Sequence, residues 1–284
     1  MIDDVLGALL TPLGLALLGL CVGSFLNVVV HRLPLMMERA WKLESAEMLG
    51  VAPPDLAPLT LSQPASRCPH CGHRIRWYEN IPLLGWLALR GRCSACKTPI
   101  SARYPLVELA TALLFAALAW RFPGSATLLV WCGFVATLLA LALIDWDTTL
   151  LPDSLTLPLI WAGLIAAALG WSGLALTTAV WGAVAGYLAL WSVYWLFKLT
   201  TGKEGMGAGD FKLLAALGAW LGWQMLLPIV LAASLLGAVV GIAMKFSGAL
   251  REGRYVPFGP FLAGAGLVVL YAGPERVHAW MGWA

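Results

Sequence analysis

Residues 125–147 read SATLLVWCGFVATLLALALIDWD, a continuous apolar run that ends in an acidic pair. A helix needs roughly 20 apolar residues to cross a bilayer core of about 30 Å, and this run has that length. The stretch therefore predicts a membrane span that carries Asp145 and Asp147 at its end. The whole chain has the apolar composition of a membrane protein. It is 60% hydrophobic and 12% charged, and its mean hydropathy of +0.82 lies outside the range of soluble domains.

Seven other apolar runs give the chain eight predicted spans. The runs are continuous and rich in Leu, Ala and Gly, whereas barrel strands would alternate over about ten residues. We therefore expect an all-α polytopic membrane protein with about eight transmembrane helices. The sixth run is too short to span without flanking residues. The chain starts Met1-Ile2-Asp3-Asp4 without a basic n-region, so we expect the first run to be retained. The eight runs are 5–30, 105–121, 125–144, 154–171, 174–197, 211–222, 225–246 and 257–272.

Basic residues indicate the orientation of these spans, because Lys and Arg stay on the cytoplasmic side. When the runs alternate across the bilayer, 16 of the 18 basic residues fall on one side, including Arg251 and Arg254 between the last two runs. We expect that side to be cytoplasmic and both termini to be periplasmic. The basic residues are dispersed and form no recognisable binding motif, so no nucleic-acid partner is expected. Ten of them lie between residues 31 and 104, namely Arg32, Arg39, Lys42, Arg67, Arg74, Arg76, Arg90, Arg92, Lys97 and Arg103.

Four of the six cysteines form two C-x-x-C pairs in this 31–104 loop, with 21 residues between the pairs. The pairs are Cys68/Cys71 and Cys93/Cys96. Four thiolates suit a tetrahedral Zn²⁺, and a closed site of this kind is structural. Disulfides are the alternative, but a reducing cytoplasm disfavours them. We therefore predict a zinc-stapled loop between the first two spans, with His70 and His73 as solvated side chains and with Cys21 and Cys132 as small core residues.

Carboxylates at the ends of spans are candidates for function because ionisable groups are costly there. Asp145, Asp147 and Asp153 follow the third span, and Asp210 opens the sixth. Two carboxylates at one partly dry site do not both ionise easily, which favours acid–base chemistry. The chemistry alone leaves three alternatives open: a protease, a proton-coupled transporter, and aspartates that only cap helices or face solvent.

Several motifs together resemble the bacterial type IV prepilin peptidase family, over about residues 19–260. They are the run from Gly23 to Pro34 (GSFLNVVVHRLP), the two C-x-x-C pairs, Glu79-Asn-Ile-Pro82, Tyr104-Pro-Leu-Val-Glu108, the I-D-x-D-x-x-x-L-P-D segment from Ile144 to Asp153, and Gly207-x-Gly209-Asp210.

The resemblance implies a bifunctional enzyme of the bacterial inner membrane whose active site faces the cytoplasm. It would remove the leader from type IV prepilins and type II secretion pseudopilins, and then methylate the new N-terminus with S-adenosylmethionine as the methyl donor. The family's catalytic pair carries over to Asp145 and Asp210. Asp147 is the second choice, because the residue pattern alone does not separate it from Asp145.

We predict three regions in this chain. Residues 1–30 hold the first transmembrane helix, residues 31–104 the Cys-rich cytoplasmic loop with the zinc site and, by the resemblance, the methyltransferase region, and residues 105–284 the multi-span peptidase core. No glycine-rich nucleotide motif follows a strand, so the donor site is sought between Gly23 and Arg32 and in the loop. A proton-coupled transporter and a non-enzymatic secretion scaffold remain the alternatives, although no internal repeat of the transporter kind is visible.

Overall fold

The all-α fold predicted from the apolar runs is confirmed. The computed structural model describes residues 7–122, 127–248 and 256–283, so the predicted start at Met1–Asp4 and the loop cations Arg251 and Arg254 lie outside the described residues. Outside the helices, the described residues form turns and irregular loops, with two isolated β-bridges in the cysteine-rich segment. In chain order the principal helices are α1 (Pro12–Leu49), α2 (Leu84–Ala88), α3 (Arg103–Arg121), α4 (Leu128–Thr148), α5 (Asp153–Ala168), α6 (Leu176–Thr201), α7 (Ala208–Leu221), α8 (Leu226–Phe246), α9 (Gly259–Ala272) and α10 (Pro274–Met281).

Eight of these helices coincide with the eight predicted apolar runs. Five of the described helices are long and apolar enough to cross a membrane: α1, α3, α4, α6 and the segment Trp223–Phe246 that contains α8. Helix α5 has 16 residues, and α7 and α9 have 14 residues each. At 1.5 Å per residue, a 14-residue helix is about 21 Å long, which is shorter than the bilayer core. The multi-pass character is therefore established, while the count of eight spans stays a prediction.

The chain forms two compact units, Met1–Ser125 and Ala126–Ala284. Helix α3 belongs to the first unit, although the predicted peptidase core began at residue 105. Compactness does not reveal which activity a unit carries, so the predicted functional regions 1–30, 31–104 and 105–284 remain a prediction.

In the first unit, α1 and α3 pack closely along two glycines. A Cβ atom at Gly19 would lie 2.7 Å from Ala112 Cα, and one at Gly23 would lie 2.7 Å from Glu108 Cα. Small residues at such positions let two membrane helices approach at backbone distance. The sequence run that starts at Gly23 therefore lies directly against the segment that ends at Glu108.

Helix α1 is longer than its predicted run, which ended at residue 30. It continues to Leu49, where the N–H of Gly50 bonds the carbonyls of Ala46 and Glu47. Charged residues end the apolar run, but they continue at helical spacing: the side chains of Glu38 and Lys42 pair at 2.7 Å, one turn apart. The predicted loop from His31 is therefore helix as far as Leu49.

After α1, the chain is held against this helix by hydrogen bonds from one arginine of the helix. The Arg32 guanidinium donates to the backbone carbonyls of Thr60 at 2.9 Å, Leu61 at 3.3 Å and Pro64 at 2.7 Å. A planar guanidinium with several N–H donors suits such a cluster of acceptors. The contact fixes the start of the cysteine-bearing segment against α1.

In the second unit, α7 is the central helix and contacts α5, α6, α8 and α9. All residues from Leu213 to Trp220 are buried, as expected of a helix that is apolar on every side. Glycines bring α6 against it: a Cβ atom at Gly182 would lie 2.1 Å from Gly218 O, and one at Gly186 would lie 2.5 Å from Leu214 O. Helices α4 and α9 also pack together, so the end of α4 lies beside the start of α9.

Candidate active site and cysteine cluster

Asp145 and Asp210 are both buried in the interior of the second unit. Asp145 lies in the last turn of α4 and is 4% exposed, whereas Asp210 lies in the first turn of α7 and is 8% exposed. The two carboxylates are close enough to interact electrostatically. The structure thus brings together the two residues that the motifs nominated for catalysis.

The hydrogen bonds of the two carboxylates differ. Asp145 Oδ2 accepts the backbone N–H of Gly259 at 2.9 Å. Asp210 Oδ1, in contrast, is buried and has no hydrogen-bond partner, and it is the one buried side-chain oxygen or nitrogen of which this is true in the described ranges. Buried polar atoms are nearly always paired, so an unpaired carboxylate oxygen marks a position where a further group is expected to bind.

Asp147 and Asp153 lie outside this buried pair. Asp147 is exposed although it is only two residues from Asp145, because residues two apart point to different faces of a helix. Asp153, at the start of α5, pairs with Lys212 of α7 at 2.5 Å and has a side chain that is 57% exposed. The burial difference separates Asp145 from Asp147, which the sequence pattern did not.

The walls of the site come from residues of the two aspartate motifs and from their neighbours. Gly209 packs against Leu151, whose side chain also reaches Gly259. Phe211 follows Asp210 and makes ring contacts with Tyr187 and Tyr194 of α6, at centroid distances of 5.9 and 5.6 Å.

The sequence analysis did not identify Gly259 as part of the site. Its signal was the Pro-Phe-Gly-Pro stretch of residues 257–260, which predicts a helix start because proline favours the first turn of a helix. Gly259 contacts Asp145 through its backbone N–H. A sequence pattern of side chains does not show which backbone N–H groups make such a contact.

The loop before α7 is tied to α6 by a polar network, which also went unrecognised. Lys198 Nζ donates to Glu204 Oε1 at 2.8 Å and to the Tyr194 hydroxyl at 3.1 Å, and that hydroxyl donates to Glu204 at 3.2 Å. The hydrogen bond and the charge of Lys198 lower the pKa of Glu204. Because Tyr194 also contacts Phe211, the network links the loop to the residue after Asp210.

The four loop cysteines form one cluster in the first unit. The Sγ atoms of Cys68, Cys71, Cys93 and Cys96 all lie within 4.8 Å of one another. The Cys68–Cys96 pair is separated by 3.8 Å and the Cys71–Cys93 pair by 3.9 Å. Four sulfurs bound at 2.3 Å around a tetrahedral ion would be roughly 3.8 Å apart. All four thiols are free, and these separations far exceed a disulfide bond, so the cluster has the geometry of a metal site.

Two similar turns build this cluster. In the first, Gly72 N–H bonds Cys68 O at 2.9 Å and Cys68 N–H bonds His73 O at 2.9 Å. In the second, Lys97 N–H bonds Cys93 O at 3.0 Å and Cys93 N–H bonds Thr98 O at 2.9 Å. Gly72 and Lys97 occupy equivalent positions with φ angles of +70° and +62°. The repeat explains how both C-x-x-C pairs present their sulfurs to one point.

The surroundings of the cluster lower the pKa of Cys68 and Cys96 and raise that of Cys71, and they keep a histidine away. The hydroxyl of Thr98 lies 3.2 Å from Cys96 Sγ, and together with its backbone N–H it lowers the pKa of Cys96 to about 6. His73 Nε2 instead lies 3.1 Å from the Ser94 hydroxyl and 3.4 Å from Glu79 Oε2, outside the sulfur cluster. Of the two remaining cysteines, Cys132 is buried as predicted, but Cys21 is exposed on α1.

The remaining motifs of the first unit are linked by hydrogen bonds from side chains to the backbone. Glu108 Oε2 accepts the N–H of Leu83, which follows the Glu79–Pro82 motif and has a φ of +58°. Glu79 Oε2 accepts the N–H of Arg76 at 2.8 Å, and this bond lowers the pKa of Glu79. Asn27 Nδ2 donates to Tyr104 O at 3.1 Å. Three motifs that are distant in sequence thus form one structural cluster.

Comparison with known proteins shows the family of this chain. The family model described as Type IV leader peptidase family matches residues 132–242, and the one described as Bacterial Peptidase A24 N-terminal domain matches residues 17–122. A prepilin leader peptidase/N-methyltransferase of Stutzerimonas stutzeri is 56% identical over 273 residues, which are 94% of this chain and 92% of that relative. The chain belongs to the type IV leader peptidase family.

Two further relatives, also named prepilin leader peptidase/N-methyltransferase, are similarly close to this chain. That of Pseudomonas aeruginosa is 56% identical over 274 residues, which are 94% of this chain and 92% of the relative. That of Aeromonas hydrophila is 55% identical over 274 residues, which are 93% of this chain and 91% of the relative. No solved structure matches the chain significantly. The match to the N-terminal family model ends at residue 122, close to the end of the first compact unit at Ser125.

Proposed function

We propose that this protein is a membrane-embedded aspartic endopeptidase that cleaves the leader peptides of type IV prepilins and type II secretion pseudopilins. We further propose that it methylates the new N-terminus with S-adenosylmethionine. The observation that carries the peptidase proposal is the buried pair of Asp145 and Asp210, contributed by the end of α4 and the start of α7. The names of relatives that are 55–56% identical support the substrate class and the second activity.

The paired carboxylates suit the hydrolysis of a peptide bond. Like charges in an apolar interior repel, so the pair is expected to hold one proton near neutral pH. The ionised member can then remove a proton from water, while the protonated member donates one to the peptide carbonyl. The relatives favour this reading over a proton-coupled transporter or a non-enzymatic secretion scaffold.

The charge distribution supports a location in the bacterial inner membrane with the active site facing the cytoplasm. Asp145 ends one predicted span and Asp210 begins another, on the side of the bilayer that holds 16 of the 18 basic residues. A prepilin carries a basic leader before an apolar helix, so its scissile bond would lie at this surface.

Zn²⁺ is the ion that we propose for the cysteine cluster. Four thiolates in a tetrahedral arrangement select zinc or iron–sulfur chemistry, and the spacing of two C-x-x-C pairs is typical of structural zinc. Sulfur separations of 3.8 and 3.9 Å fit this ion. Cys68, Cys71, Cys93 and Cys96 would hold it with no open coordination position, so its role would be to fix the loop.

We assign no residue to the methyl donor. The two buried acids of the first unit, Glu79 and Glu108, are the groups with the right charge for a sulfonium cation, but each already accepts a backbone N–H. The search region therefore remains the segment from Gly23 to Arg32 with the cysteine-bearing loop. The methyl donor would supply an electrophilic methyl group for the amine that cleavage exposes.

Incubation of the purified, detergent-solubilised protein with a prepilin tests the proposal directly. Intact-mass measurement should show a chain shortened by the leader and, when S-adenosylmethionine is added, heavier by one CH₂ per methyl group. Omission of the methyl donor should leave cleavage intact. A prepilin that keeps its full mass after incubation with folded protein would contradict the peptidase proposal, and proton flux in reconstituted vesicles would then favour the transporter.

A further inference from the structure

The two aspartates of the buried pair have opposite hydrogen-bond environments. Asp145 Oδ2 accepts the N–H of Gly259 at 2.9 Å. Gly259 is the first residue of α9, where backbone N–H groups have no acceptor within the helix, and the next residue, Pro260, has no N–H. The positive end of the helix dipole adds to this bond. This bond partly offsets the cost of burying a charge at Asp145, and the described residues offer no equivalent bond to Asp210 Oδ1.

Asp210 has the reverse environment. It is 8% exposed, and its Oδ1 atom has no hydrogen-bond partner among the described residues. The start of α7 also places a helix dipole near this residue, but an ionised carboxylate with a buried, unbonded oxygen loses far more in solvation. The nearest basic side chain in α7, Lys212, is engaged with Asp153. Because like charges in an apolar interior repel, an ionised Asp145 makes ionisation of Asp210 harder still.

We propose that Asp145 is the ionised member and general base of the pair, that Asp210 is the protonated member and general acid, and that Gly259 is a positioning residue that holds the base. The inference rests on the proposed peptidase function and assigns the general-base and general-acid roles within it. It adds a third chain segment, the start of α9, to a site that the sequence motifs limited to two.

The division of roles gives a balanced hydrolysis. Asp145 takes a proton from water as the water oxygen bonds to the carbonyl carbon, and Asp210 gives its proton to the carbonyl oxygen. Asp145 then passes its proton to the leaving nitrogen as the C–N bond breaks. Asp210 takes a proton back from a hydroxyl group of the intermediate, which becomes the new carboxyl group. Water is consumed, and both aspartates return to their starting states.

The position of Gly259 tolerates no side chain without disturbing the base. A Cβ atom there would lie 2.5 Å from Asp145 Oδ2 and 3.3 Å from Leu151 Cδ1. The contact with Oδ2 is shorter than any real Cβ makes, so the carboxylate would have to move away from the N–H that holds it. Gly264, in the same helix, offers a matched control, because a Cβ atom there meets nothing within 4 Å.

The first test compares Gly259→Ala with Gly264→Ala in the full-length protein. A displacement of about 1 Å in a catalytic group costs roughly 100-fold in rate, so Gly259→Ala should lose about that much kcat for leader cleavage while KM stays within about twofold. Its melting temperature and its methylation of a pre-cleaved pilin should match those of Gly264→Ala. Cleavage by Gly259→Ala at the rate of Gly264→Ala would overturn the inference.

The second test reads the proton directly and needs no alteration of Gly259. The infrared band of a protonated carboxyl group, recorded at neutral pH, should disappear in Asp210→Asn and persist in Asp145→Asn. Loss of the band in Asp145→Asn alone would reverse the roles and overturn the inference, even if Gly259→Ala fails to fold. A wild-type protein that cleaves no prepilin would instead contradict the proposed function, while the infrared result would still report which aspartate holds the proton.

Discussion

Gly209 packs so closely against Leu151 that a Cβ atom on the glycine would lie 2.6 Å from Leu151 Cβ. These two residues belong to the two aspartate motifs, so their contact sets how closely the start of α7 approaches the segment after α4. The glycine before Asp210 is therefore a requirement of packing at the catalytic pair.

Gly209→Ala should push the first turn of α7 away from Leu151 and lower the rate of leader cleavage by roughly 100-fold, as expected for a catalytic group displaced by about 1 Å. Gly207→Ala is the matched control, because a Cβ atom at Gly207 meets nothing within 4 Å. An alanine there removes a favourable capping residue and should change the rate by no more than about threefold. Initial rates on one prepilin compare the two, and equal rates would show that the contact is not needed.

The Lys198–Tyr194–Glu204 network should contribute modestly to cleavage. Glu204→Gln removes the charge that holds the loop before Gly207, and since the Glu204 side chain is 69% exposed, we expect a loss of about threefold, smaller at high salt. Lys198 depresses the pKa of Glu204, so the network is intact above the ordinary pKa of a glutamate and fails only as the pH falls through the lowered value.

Lys203→Gln removes a charge from the same loop without touching this network, and it should leave the rate unchanged. A Glu204→Gln enzyme as active as Lys203→Gln would show that the loop is held by other contacts.

Metal analysis of protein purified without oxidants should give one zinc per chain. Cys71→Ser with Cys96→Ser should lose the metal, because two of four ligands are then removed. Cys21→Ser, outside the cluster, is the control and should keep it. A preparation that contains two disulfides by mass spectrometry, or no zinc, would contradict the metal assignment.

Cleavage should precede methylation, since the amine that receives the methyl group exists only after the peptide bond is cut. If the cysteine-bearing loop shapes the methyltransferase site, the Cys71→Ser, Cys96→Ser variant should accumulate pilin that is cleaved but unmethylated. Intact-mass spectra separate the two products. Normal methylation by a folded, zinc-free variant would argue against this role of the loop.

The sequence predicted the helices well where apolar residues were continuous, as in α4, which begins at Leu128. The first apolar run ended at residue 30, whereas α1 ends at Leu49. A hydropathy pattern stops where charged residues begin, although Glu38 and Lys42 continue the helix as an i, i+4 pair. The cysteine cluster could be predicted from the C-x-x-C spacing, since each pair of cysteines lies in one local turn. The burial of Asp145 and the position of Gly259 depend on tertiary packing, which residue spacing does not encode.

Two features of the site needed the fold. Asp145 and Asp147 differ in burial because α9 packs against α4, a contact between segments more than 100 residues apart. Gly259 acts through a backbone N–H, and every residue except proline has one. A sequence pattern could place Gly259 at a helix start, but it could not place that helix beside Asp145.

Leader cleavage by four asparagine variants decides whether Asp145 and Asp210 are the catalytic pair. Asp145→Asn and Asp210→Asn should each lose roughly 1,000-fold or more in cleavage rate, because the pair acts as a unit. Asp147→Asn and Asp153→Asn, at exposed positions, should stay within about threefold of the wild type. Both of the inactive variants should still methylate a pre-cleaved pilin, which shows that they are folded. Full cleavage by Asp145→Asn or Asp210→Asn, or a loss confined to Asp147→Asn, would contradict the assignment of the catalytic pair.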